Sequence, residues 1–208
     1  MPLYKSIAVN DETHVLIWHI TESESDLSIP LSLENYSQNR LAGMKSQIHR
    51  RAYLSVRHLL AIANYSDTDL TYNENGKPSL SDGVCISITH SYQYAAIILS
   101  ANPVGIDIEK QRDKITRIAT KFVCDKEFEY LDSTNTKYIK NLTVIWGAKE
   151  AVYKLYGKPG ISFKQHIIVA PFEIEKGITK TLLSYNEVQK TFDTDFLEFD
   201  GFSCVYTF

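Results

Sequence analysis

Two long helical stretches, set among short β-prone runs, constrain this chain more than any other feature. In the first, Leu41, Met44, Ile48, Ala52, Val56, Leu59 and Ala63 recur at three- and four-residue steps. That spacing predicts one apolar stripe of a helix over residues 40–63, decorated by Arg40, Lys45, Arg50, Arg51 and Arg57. The second runs from Thr136 to Tyr156 and stops before Gly157 and Pro159. Around them, Leu3–Val9 and His14–Ile20 read as a hairpin across Asn10–Asp11. Cys85–Thr89 and Tyr94–Ser100 read as two strands around His90–Ser91, and Val104–Glu109 as another. Ile167–Val169, Phe172–Ile174 and Thr179–Leu183 are β-prone, and a last hairpin pairs Asp195–Phe199 with Phe202–Phe208. Asp200–Gly201 between them suits the positive φ angles of a type I′ turn. Residues 21–33 read as a loop, 73–78 as a turn, and Lys114–Phe122 and Asp125–Leu131 as helical. Strands and helices mix without strict βαβ alternation, which specifies an α+β fold. Each half holds strands and a long helix. The expectation is two similar α+β halves, residues 1–102 and 103–208, related by a pseudo-twofold, each a small antiparallel sheet packed with a long helix.

Composition narrows the class. At 208 residues, 44% hydrophobic and 23% charged, with 13 Tyr and 9 Phe, the chain has the makings of a packed core and not of a disordered segment. A net charge of −3 and the lack of a long basic run leave no nucleic-acid footprint. Cys85, Cys124 and Cys204 lie far apart with no CxxC spacing, so neither a zinc cage nor a disulfide framework is expected, in keeping with a reducing cytosol. No apolar run approaches about 18 residues, and the first residues do not read as a leader. The expectation is a cytoplasmic protein without a membrane span.

Four segments carry candidate chemistry. In Val104-Gly105-Ile106-Asp107-Ile108-Glu109, strand alternation puts Asp107 and Glu109 on one face, with Gly105 beside them, and Ile106 and Ile108 on the other. Two close carboxylates repel unless a cation or a proton lies between them. Taken alone, such a pair is often no more than a solvated strand face. In Trp146-Gly147-Ala148-Lys149-Glu150-Ala151-Val152-Tyr153-Lys154, helical spacing aligns Trp146, Glu150 and Lys154 on one stripe. Glu150 and Lys154 could form a surface ion pair contributing about 0.3–0.5 kcal/mol, but Trp146 on the same stripe implies that it faces protein or a crevice. His90 at a strand end, flanked by Thr89 and Ser91, and Lys77 in the turn Asn75-Gly76-Lys77-Pro78, add weaker signals. Together, three carboxylates supply hard oxygen ligands of the kind Mg²⁺ shares with water and phosphate. His90, Lys77 and Lys154 supply groups for those phosphates. That inventory suits displacement at phosphorus, where positioning and charge neutralisation do most of the catalysis.

The ordered set Gly76-Lys77-Pro78, Ile88-Thr89-His90-Ser91, Gly105-Ile106-Asp107-Ile108-Glu109 and the Trp146–Lys154 segment resembles the 4′-phosphopantetheinyl transferase superfamily, in its two-halved, surfactin-synthetase-activating type. The resemblance implies that coenzyme A and Mg²⁺ bind in a cleft between two halves of a monomer. A serine of an apo acyl or peptidyl carrier protein attacks the β-phosphate, and 3′,5′-ADP leaves. It implies Asp107, Glu109 and Glu150 as metal ligands, Glu150 also as general base, and Lys154 at the transferring phosphate. It further implies His90 at the pyrophosphate, Thr89 as another residue binding coenzyme A, Lys77 near the nucleotide, and Glu127 as a further acid near the metal. For the 3′-phosphate, Arg51 is the first candidate, with Arg40 and Lys45 as rivals. Thr89 stands where serine is commoner, and Gly147 where alanine, serine or threonine is usual. Two other readings stay open: a family member that binds coenzyme A or a carrier without transfer, and a different Mg²⁺-dependent phosphohydrolase. The chain has no GxxxxGK[ST] or HExxH pattern.

Overall fold

A computed structural model describes residues 3–208. The chain divides into two compact units, the first ending at Asn102 and the second running Pro103–Phe208. Both are α+β, with antiparallel sheets. No helix among the described residues is long and apolar enough to cross a membrane.

The first unit opens with β1 (Leu3–Asn10) and β2 (Thr13–His19), the hairpin expected across Asn10–Asp11. Three helices follow: α1 (Glu24–Ser28), α2 (Asn35–Gly43) and α3 (Gln47–Ile62). A short hairpin comes next, β3 (Leu70–Tyr72) and β4 (Pro78–Leu80), then β5 (Cys85–Ser91) and β6 (Tyr94–Ser100). The main sheet has the order β1-β2-β6-β5. Its core gathers Leu16 and Trp18 of β2, Ile97 of β6, and Leu54, Val56, Leu59 and Leu60 of α3.

Three expectations change here. The helix over residues 40–63 is two helices. Met44 is extended between them, and Arg50 Nη1 donates to the Met44 and Lys45 carbonyls at 2.8 and 3.3 Å, fixing the break. Arg57 is not surface decoration. It is 4% exposed, its Nε donates to Asp67 Oδ1 at 3.0 Å, and its guanidinium lies 3.5 Å from the Tyr53 ring centre. The loop of residues 21–33 contains α1, which starts on a Ser23–Asp26 capping box.

The second unit runs β7 (Gly105–Lys110), α4 (Ala119–Phe122), α5 (Asp125–Phe128), α6 (Tyr138–Tyr156) and α7 (Phe163–His166). It continues with β8 (Ile167–Val169), β9 (Ile178–Tyr185), β10 (Val188–Phe199) and β11 (Phe202–Thr207). The sheet order is β7-β11-β10-β9-β8. Gly157, at φ +67°, ends α6 in the left-handed conformation that glycine tolerates. Asp200 and Gly201 turn β10 into β11 with φ +48° and +75°. Residues 172–174 are not a strand, since Ile174 begins a 3₁₀ turn closed by Gly177. Most of Lys114–Phe122 is 3₁₀ before it widens into α4.

The units share one arrangement. A strand (β2 or β7) leads through a long helix (α3 or α6) to a hairpin (β5–β6 or β10–β11). The last strand of the hairpin pairs antiparallel with the first strand.

Candidate active site

The candidate acids collect where α6 lies over β7. Gly105, Asp107 and Glu109 alternate onto one face of the strand. That face meets the helix: a Cβ on Gly105 would stand 1.8 Å from the Ala151 carbonyl oxygen, so only glycine lets α6 approach so closely. Gly147, a turn before Glu150 on α6, also keeps the contact close. A Cβ there would stand 2.7 Å from Val205 Cγ2 and 3.8 Å from Asp107 Oδ2. Ile106 and Ile108, on the other face of β7, are wholly buried. Asp107 is 5% exposed. Lys154 Nζ donates to its Oδ1 at 2.7 Å and to the Ile106 carbonyl at 2.9 Å.

The electrostatics show that the three acids share one neighbourhood. Burial, then the Asp107 charge, pushes Glu109 up to about 7, with Glu150 adding to the rise and Arg112 and Lys154 opposing it. Burial, then Asp107, raises Glu150 too, against Lys154. Desolvated carboxylates this close favour a proton or a cation among them. Trp146 packs edge-on to Phe122 with ring centres 5.1 Å apart, and 5.4 Å from Phe163, so the stripe it shares with Glu150 and Lys154 does run along protein.

Glu127 has another job. It is 0% exposed. Its Oε1 accepts from the Val169 amide, and its Oε2 from the Cys124 amide and Lys149 Nζ, at 2.8, 2.8 and 2.7 Å. Lys149, also 0% exposed, donates to the Phe122 and Phe163 carbonyls as well. The acid is a buried strut, and it accepts three hydrogen bonds from its own surroundings. Sequence reasoning missed this pair, though a signal existed. Leu142, Ile145, Lys149 and Val152 fall at three- and four-residue steps, so a lysine interrupts a buried apolar stripe and requires a buried acid.

The remaining candidates belong to the first unit. Thr89 and His90 alternate on β5, so they face opposite ways, Thr89 buried and His90 exposed. Lys77 follows a turn pinned by Asn73 Oδ1, which accepts from the Asn75 and Lys77 amides at 3.0 and 2.9 Å. Partial burial lowers the Lys77 pKa. Arg51 Nη2 donates to the Ile20 carbonyl at 2.9 Å, and its side chain lines a notch with Ile20, Ile48, Tyr92 and Gln93. Arg40 is exposed and lies 4.6 Å from the Tyr72 ring centre; Lys45 is exposed.

Fold and site define an α+β protein whose acidic, half-buried strand–helix seam is built for charge held out of water. The family model of the 4′-phosphopantetheinyl transferase superfamily matches residues 103–199, nearly all of the second unit. The chain is 28% identical over 153 residues to 4′-phosphopantetheinyl transferase gsp of Aneurinibacillus migulanus, covering 71% of this chain and 62% of the relative. It is 31% identical over 99 residues to 4′-phosphopantetheinyl transferase Sfp of Bacillus subtilis (strain 168), covering 45% and 43%. It is 28% identical over 118 residues to enterobactin synthase component D of Salmonella typhi, covering 56% and 46%. The matches thus span about two fifths to three fifths of these relatives' length.

Proposed function

We propose that the chain transfers 4′-phosphopantetheine from coenzyme A to a serine of an apo acyl or peptidyl carrier protein. The serine oxygen bonds to the β-phosphorus, the bond from that phosphorus to the bridging oxygen breaks, and 3′,5′-ADP leaves. The observation that carries this reading is the seam itself: Asp107, Glu109 and Glu150 desolvated together beside Lys154, with Glu109 pushed up to about 7.

Among the described residues, no three His, Cys, Asp or Glu side chains are gathered as a metal cage. The donor set nevertheless fits Mg²⁺, which takes few protein carboxylates and fills its octahedron with water and phosphate oxygens. Asp107, Glu109 and Glu150 would hold it, and it supplies charge stabilisation at the pyrophosphate. Glu150 acts as general base for the serine proton, and its raised pKa makes it a stronger base than an exposed carboxylate. Lys154 has Asp107 Oδ1 as its fixed partner and meets the transferring phosphate. In the N-terminal unit, His90 binds the pyrophosphate, Thr89 is a further coenzyme A contact, Lys77 binds the nucleotide, and Arg51 the 3′-phosphate. Arg51 is favoured over Arg40 and Lys45 because the Ile20 carbonyl already holds it in place. The proposal includes a monomer working in the cytoplasm, checked by light scattering and fractionation.

The test is intact-mass analysis of apo carrier proteins incubated with the chain, coenzyme A and Mg²⁺. The carrier gains one phosphopantetheine with wild type, and Glu150→Gln slows this by about 10³-fold or more, the scale of losing a general base that is also a ligand. Normal labelling by Glu150→Gln would sink the mechanism, and release of inorganic phosphate would point to a hydrolase.

A further inference from the structure

His90 closes the row Ile86, Ile88, His90 on one face of β5. Ile86 belongs to the core that α3 completes, and Ile88 packs against it. His49 lies in the first turn of α3, in line with Val56 and Leu60, which are 2% and 1% exposed in that same core. The packing that orders this seam therefore also places two imidazoles at its open end. Their ring centres are 5.5 Å apart with planes tilted by 50°, and both residues are exposed.

Rings so placed, on two different elements, can direct N–H donors at one small acceptor group, each N–H···O bond spanning about 2.9 Å. The surrounding charge selects an anion over a metal cation. The first turn of α3 has no acidic side chain, and Lys45 and Arg51 lie near in sequence. The neighbouring Arg50 is paired with Glu24 at 2.9 Å. A ring N–H donated to an ionised phosphate oxygen is a charge-assisted hydrogen bond, roughly twice as strong as a neutral one.

We infer that His49 is a second phosphate-binding imidazole, acting with His90 on one phosphate group of coenzyme A. The inference rests on the proposed function, which uses His90 but gives His49 no role.

Calorimetric titration of coenzyme A into the full chain tests it, using wild type, His49→Gln, His49→Ala and, as a control, His14→Gln at another exposed histidine. Both His49 variants keep the wild-type melting curve, because the side chain is exposed. Each weakens coenzyme A about tenfold, and the gap narrows as salt is raised, which a structural defect would not do. The His14 variant binds as wild type does. Dephospho-coenzyme A locates the contact: the gap closes if His49 meets the 3′-phosphate and persists if it meets the pyrophosphate. A Kd within twofold of wild type in both His49 variants overturns the inference while the proposed function stands. Failure of wild type to bind coenzyme A overturns both.

Discussion

In the N-terminal unit, β2 turns Leu16 and Trp18 toward α3; in the C-terminal unit, β7 turns Gly105, Asp107 and Glu109 toward α6. The strand–helix–hairpin plan is the same, and so is the burial: Leu16, Trp18 and Asp107 are 7%, 6% and 5% exposed. The chemistry is opposite. The first seam is dry core. The second holds carboxylates: burial and the Asp107 charge raise the pKa of both Glu109 and Glu150, against Lys154 at both and Arg112 at Glu109. One backbone plan thus supports either a core or a site, and the difference lies in whether charge at the seam has a counter-charge within reach. The bluntest way to break the comparison is to put a carboxylate in the dry seam. Leu16→Asp, set among an all-apolar cluster, costs about 5 kcal/mol, the scale of an uncompensated buried charge, and urea unfolding measures it. A loss below about 1 kcal/mol would mean that the two seams do not differ as argued.

Each long helix is also held by one buried ion pair. Arg57 binds Asp67, with both side chains 3% exposed; Lys149 binds Glu127, both 0% exposed. Lys149→Met leaves the Glu127 carboxylate buried with two backbone amides and no cation, and costs about 3–4 kcal/mol in urea unfolding. Adding Glu127→Leu recovers only some of this, because the Cys124 and Val169 amides then lose their acceptor. Full recovery in the double variant would reduce the pair to a replaceable space-filler.

Much of this was legible in the sequence, for reasons that differ by element. The acids on β7 follow from period-two alternation, and the Trp146–Glu150–Lys154 stripe from helical spacing, because both patterns are local. The break at Met44 was hidden, since the apolar stripe runs on through it and only the Arg50 hydrogen bonds to backbone carbonyls reveal it. Glu127 was misread because its partners come from distant segments, Lys149 and the Val169 amide. A charged residue's role depends on what folds against it, and spacing along the chain does not report that.

The acidic seam should make stability depend on pH in a direction opposite to that of an ordinary salt-bridged acid. Glu109 stands at about 7 in the folded chain against an ordinary 4.5. Between those values the folded state binds the proton and the unfolded state does not. Unfolding free energy therefore falls as pH rises from about 4.5 to 7, and the loss is complete above that. In protein freed of divalent ions, Glu109→Gln flattens this slope and at pH 8 adds about 1–2 kcal/mol, allowing for the group's partial solvent contact. No equivalent slope arises in the N-terminal seam, where Leu16 and Trp18 do not titrate. A rise in stability over the same pH window, read by thermal melts in EDTA, would contradict the assigned repulsion.

The smallest effect tests how closely the two helices sit on their sheets. The N-terminal unit buries Ala52 and Ala95 in its seam, whereas the C-terminal unit uses Gly147 against Val205. Gly147→Ala gains about 1 kcal/mol in helix propensity. The new methyl, however, would stand 2.7 Å from Val205 Cγ2, on a stiff β-branched side chain that is wholly buried. Overpacking of this kind costs about 1–3 kcal/mol, so the net loss is about 1 kcal/mol. Val205→Ala opens the space, and in that background the same methyl fills a cavity and stabilises. The double-mutant cycle should therefore show a favourable coupling of about 1–2 kcal/mol. Because Val205 pairs with Asp107 across the strands and Gly147 lies a turn before Glu150, a relaxed seam also shifts the acids against each other. Additive effects in the cycle would mean that α6 is held by its other contacts, and that the missing side chain at Gly147 does not set its depth.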